Sequence, residues 1–145
     1  MTTTFPIDSH TVHSARCLDH AADMIEQGDR LQASEKIWGA VAHRLKEIAS
    51  ERGWPNESHA DGFSIIHHMG QQVGDRRISE LFAVASDTHQ NFYEDRCSLD
   101  ILRDRLVSAQ RLLALLDWAH RTLPTSLPMP GDRHYRKRHD RRVRD

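Results

Sequence analysis

Apolar positions recur every three or four residues along most of the chain, and no stretch of five or more alternates apolar and polar as a strand would. Val12, Ala15, Leu18, Ala22 and Ile25 make a first stripe, opened by Pro6 and Asp8 or Ser9 and stopped at Gly28. Asp29-x-x-Gln32 then resembles a capping box. Behind it Leu31, Ser34, Trp38, Val41, Leu45 and Ile48, with Ile37 widening the stripe, predict a second helix that ends at Gly53. Ser58-x-x-Asp61 opens a third, carrying Phe63, Ile66, Met69 and Val73 up to Gly74. A fourth runs from about Arg76 to Tyr93, with Ile78, Leu81, Phe82, Ala85, His89 and Phe92 inward. Ser98 caps a fifth, on which Leu99, Leu102, Leu106, Ala109, Leu113 and Leu116 form the main stripe and Leu112 and Leu115 a second one.

Five amphipathic helices with short connections predict an all-α, five-helix up-and-down bundle over residues 1–123. A helix apolar on two sides faces more than one neighbour, so the second leucine stripe suggests a homodimer. Pro124, Pro128 and Pro130 then break the periodicity. Residues 124–145 are expected to be a Pro-containing linker and a disordered basic tail, with nothing past Pro124 able to build a core.

The chain's 145 residues fit one domain. Its net charge of −1 hides an asymmetry. Residues 131–145 carry seven basic groups (Arg133, Arg136, Lys137, Arg138, Arg141, Arg142 and Arg144) against three acidic ones. The other 130 residues carry 13 basic and 18 acidic groups, a net −5. The tail is therefore a candidate for sequence-independent phosphate contact by counterion release, while the body repels polyanions. No apolar run approaches the roughly 18 residues of a membrane helix, and the opening Met-Thr-Thr-Thr-Phe-Pro lacks the regions of a secretory signal. Cys17 and Cys97 make neither a disulfide framework nor a CxxC motif, which fits reduced thiols in a cytoplasmic protein.

Three blocks carry a resemblance. They are the run from Glu26 to Val41 (EQGDRLQASEKIWGAV), Arg52-Gly53-Trp54 with Ser58-His59, and His89-Gln90-Asn91-Phe92-Tyr93-Glu94. Together, over roughly residues 15–120, they resemble the archaeal PaREP family of types one and eight, whose last block reads LH-x-NFYE; Thr88 stands here where that family usually has Leu. The resemblance implies a HEPN-like helical bundle, often dimeric. Other HEPN branches include ribonucleases and partners of small nucleotidyltransferases, so it also brings in RNA, a nucleotide or a co-encoded partner protein as candidate ligands.

HEPN ribonucleases use an Arg-x4–6-His motif, in which the side chains of two subunits face each other at a dimer cleft to activate a ribose hydroxyl and stabilise phosphate charge. Arg52-x6-His59 and Arg133-x5-His139 match the spacing, although about four matches are expected by chance in a chain this rich in both residues. Arg52 and His59 are the catalytic candidates if the chain is a ribonuclease. His59 otherwise binds a phosphate oxygen, caps its own helix, or tethers loop to helix with Trp54 beneath it. Glu35 and Lys36 on the second helix and His89, Asn91 and Tyr93 on the fourth either line a small polar cleft or form a buried hydrogen-bond network that fixes helix register. No metal site and no cofactor is expected. His10-x-x-His13, His67-His68 and Asp117-x-x-His120 lack matched further ligands, and phosphate-loop, dinucleotide and nucleophile-elbow motifs are absent. A purely structural assembly protein is the remaining reading.

Overall fold

Three hydroxyl or carboxylate side chains set where the helices begin. Asp29 accepts the backbone N–H of Gln32, Ser98 accepts that of Ile101, and Ser58 accepts that of Asp61 at 3.1 Å. Asp61 answers by accepting the N–H groups of Ser58 and Glu57, which completes a capping box. The computed structural model, which describes residues 9–129, has five helices, α1 (Ser9–Glu26), α2 (Arg30–Arg52), α3 (His59–Val73), α4 (Arg77–Glu94) and α5 (Leu99–Thr122), and these three starts open α2, α3 and α5. Gly53 and Gly74 end α2 and α3 with φ of 68° and 72°, a left-handed conformation that glycine takes without a Cβ penalty. The described residues are helices and short connections, an all-α bundle.

The core lies around α2 and α5, each of which touches all four other helices. Ile37, Val41 and Ile48 from α2 are fully buried, as are Ile65, Ile66 and Met69 from α3, Ile78 and Phe82 from α4, and Leu102, Leu112 and Leu116 from α5. Removing such side chains from water is the main stabilising term, worth about 1.5–3 kcal/mol for each large one.

Several expected inward positions sit elsewhere. Ala15 is exposed, and the buried face of α1 runs instead through Ser14, Leu18, Ala21 and Ile25, with Ser14 Oγ donating to Ala40 O. Phe63 is 43% exposed, because α3 packs through Ile65, Ile66 and Met69. The second leucine stripe of α5 is spent within the chain. Leu112 is buried and Leu115 packs against the core, since α5 has four helical neighbours of its own. Residues 124–129 also differ from the expected loose linker. Trp54 Nε1 donates to Leu127 O at 3.0 Å, His68 Nε2 donates to Pro128 O at 2.9 Å, and Leu127 and Met129 pack on the core. No apolar period marks this segment, because it is held by its backbone carbonyls. The basic tail Arg133–Arg144, with His139, and the residues expected to open α1 at Pro6 and Asp8 lie outside the described residues. No helix among the described residues is long and apolar enough to cross a membrane.

Candidate functional site

A cleft of about 240 Å³ opens where α2, the α2–α3 connection, α3 and α4 meet. From α2 come Trp38, Leu45 and Lys46; from the connection, Asn56 and Glu57. His59 and Gly62 of α3 and Phe82 and His89 of α4 complete most of the wall. One face is a cluster of rings. Trp38 stacks on His89 at 5.0 Å between centroids and 27° between planes, and lies 5.4 Å from His59 at 30°. His59 and His89 are 6.1 Å apart and within 25° of parallel. Phe63 extends the cluster from His59 at 5.9 Å, and Tyr93, 71% exposed, meets His89 edge-on at 5.5 Å. The helical spacing makes this arrangement: Trp38 is on the α2 edge facing α4, and His89 lies seven residues past Phe82 on the same α4 face.

The His89 pKa lies below the ordinary imidazole value of 6.5, chiefly because burial penalises the cation; nearby His59 lowers it further, and the Glu35 carboxylate opposes both. His89 Nδ1 is buried without a hydrogen-bond partner. The ring is thus neutral near pH 7 and keeps one polar atom unused. Lys46 is the exposed cation on the wall, and Glu57 brings a carboxylate to it.

The other sequence candidates divide by location. Arg52 does not line this cleft. Its Nε donates to His120 Nδ1 at 2.9 Å, Nη1 to Pro124 O at 2.7 Å, and Nη2 to the carbonyls of His120 and Leu123. Within one chain the Arg52 guanidinium is therefore bound at the end of α5, while His59 lines the cleft. Trp54 is buried at the same end of α5, 5.1 Å from the Arg52 guanidinium and edge-on to His68. His59 has its ring on Trp38 and not on Trp54, and the cap of α3 is Ser58. Asn91 is 1% exposed and bonds within the chain, donating to Ser34 Oγ and accepting the Cys97 N–H. Lys36 is half-buried on α2 and does not line the cleft. Trp38, Lys46, Asn56 and Glu57 are cleft residues that sequence reasoning misses. The period of α2 assigns Trp38 to the core. The signal that marks it for the cleft is its pairing with His59 and His89 across two helix contacts, which no single-helix period displays.

Asp117 and His120 also have structural partners. Asp117 accepts from Arg44 Nε at 2.8 Å, and His120 Nε2 donates to Glu51 at 2.7 Å. Because His120 Nδ1 accepts from Arg52, its proton sits on Nε2. Among the described residues, no three His, Cys, Asp or Glu side chains converge as a metal site.

The histidines give the bundle a pH signature. Burial also lowers the pKa of His68, with Arg52 and His67 adding to the effect and the Pro128 carbonyl opposing it. For His68 and His89 the unfolded chain binds protons at a pH where the folded chain does not, so stability rises with pH up to about 6.5 and is flat above. Urea unfolding compared between about pH 5 and about pH 7.5 is expected to show this rise, and replacing both with Gln to flatten it. An unchanged slope in the double variant would refute the assignment.

No curated protein and no solved structure matches the chain. The model of the archaeal PaREP1/PaREP8 family matches residues 10–113, which takes in the whole cleft and stops short of the Pro124–Met129 segment. With well over half of its length matched, and with the cleft inside that stretch, the chain belongs to the archaeal PaREP1/PaREP8 family.

Proposed function

We propose that this chain is a binding module whose Trp38–His59–His89 cleft holds a planar heteroaromatic ligand, a nucleobase being the natural class. The observation that carries the reading is the set of three rings within about 30° of one another on the wall of an open cleft. A further ring extends such a stack at about 1–3 kcal/mol per base. The Asn56 amide supplies a polar contact at the edge. At about 240 Å³ the cleft falls just below the roughly 300–1,000 Å³ of drug-sized pockets, which suits one ring system with a small substituent. The position of Arg52 leaves the metal-independent ribonuclease reading without its second group. A HEPN-like relationship and pairing of two copies belong to this proposal too. The exposed Val107 and Trp118, eleven residues apart and so on one face of α5, support a pairing face.

Isothermal titration against the four ribonucleosides and their 5′-monophosphates tests the proposal. At least one is expected to bind, and His89→Ala to weaken it about tenfold by removing one stacking partner. Absence of binding across the panel would overturn it, as would an unaltered affinity in both His59→Ala and His89→Ala.

A further inference from the structure

We infer that the cleft selects an uncharged nucleoside or nucleobase and rejects its phosphorylated forms, a reading that rests on the nucleobase proposal above. Three observations, each separate from the ring cluster, converge on it.

The first is the charge around the rings. Glu57 stands on the wall, and Glu35 lies close enough to His89 to favour its protonation. Lys46 is the single cation among the wall residues given above and Glu57 the single carboxylate, while Glu35 adds negative charge from beside His89 and outside the wall. The His89 imidazole adds no fixed positive charge near neutral pH, because burial, with His59 nearby, holds it neutral.

The second is the use already made of the α3 N-terminus. Amide groups at a helix start are the usual backbone seat for a phosphate. Here the Asp61 carboxylate, 2% exposed, accepts the N–H groups of Glu57 and Ser58, and Ser58 Oγ accepts that of Asp61. Three successive donors of this helix start, the N–H groups of Glu57, Ser58 and Asp61, are thus bonded within the chain, and a phosphate arriving there meets the Asp61 carboxylate.

The third is the guanidinium that would ordinarily grip a phosphate. Arg52, which leads into the connection lining the cleft, points away and gives its donors to His120, Leu123 and Pro124. Rings for a base are therefore present, while the three usual phosphate partners are absent from the wall, taken, or outnumbered.

A nucleoside monophosphate carries about −1.5 to −2 at neutral pH. Set against the Glu57 carboxylate on the wall and Glu35 beside His89, that charge is expected to weaken binding about tenfold relative to the parent nucleoside at low salt. The experiment is competition titration of adenosine against adenosine 5′-monophosphate, and of each other ribonucleoside against its own monophosphate, with the full chain at low and at high salt. The nucleoside is expected to bind more tightly, with a gap that narrows as salt rises. Replacing Glu35 and Glu57 together with Gln is expected to shrink the ratio of nucleoside to monophosphate affinity by severalfold at low salt, and an unchanged ratio would overturn the inference. Monophosphate binding equal to or tighter than nucleoside binding would overturn this inference while leaving the nucleobase cleft in place. Binding of neither would overturn both.

Discussion

Arg52→Ala is expected to lower the free energy of unfolding by about 3 kcal/mol and to leave the affinity of the Trp38–His59–His89 cleft within about twofold. One guanidinium binds an imidazole nitrogen and three backbone carbonyls at the end of α5, and lies over the Trp54 ring. Truncation leaves the Nδ1 atom of His120 without its donor inside the protein, where His120 is 2% exposed. Hydrogen bonds to charged groups contribute about 1.5–3 kcal/mol each, but water can reach some of these carbonyls, so the sum falls well short of four full bonds. Arg52→Lys is expected to recover less than half of the loss, because an ammonium group cannot reproduce the planar fork. Urea denaturation followed by circular dichroism measures the change. An Arg52→Ala variant of parental stability would show that the C-terminal segment is held by other means. Loss of ligand binding at full stability would return Arg52 to the site.

This clasp also shows where sequence reading reaches its limit. All five helices are legible, because each has a periodic apolar stripe, and at α2, α3 and α5 a capping side chain that acts within one turn adds a local start signal. Residues 124–129 are illegible, because their carbonyls are bound by Arg52, Trp54 and His68, and any residue supplies a carbonyl. The site is legible in part. His59 and His89 stand out in the sequence and do share a cleft, whereas Arg52, Trp54 and Asn91 stand out equally and serve the bundle. A polar or aromatic residue in a sequence block looks the same whether it binds a ligand or a neighbouring helix. Burial and partners separate the two, and both depend on which helices touch.

Asn91 is the sharpest instance, and Asn91→Ala is expected to cost about 3 kcal/mol with ligand binding retained in the folded fraction. Its amide joins three elements. Nδ2 donates to Ser34 Oγ of α2 at 2.6 Å, Oδ1 accepts the Cys97 N–H in the α4–α5 connection, and Ser34 Oγ in turn donates to Arg30 O. The Arg30 guanidinium then reaches Asp95 by two bonds of 3.0 and 3.1 Å. Alanine leaves the Cys97 N–H buried without its acceptor, a penalty of about 1–3 kcal/mol, and adds a small void. Asn91→Asp separates hydrogen bonding from volume. An ionised carboxylate keeps the Cys97 bond but faces Ser34 Oγ, whose proton is already given to Arg30 O. Protonation would restore a donor at that position, so the introduced carboxyl would have a raised pKa in the folded state. The folded chain then binds more protons than the unfolded chain, so stability is greatest below about pH 4 and falls as pH rises through the raised value. That loss on raising the pH runs opposite to the histidine effect of the parent chain. A variant whose stability tracked the parent's pH profile would show that Asn91 fills space at the α2–α4 contact and does not set its register.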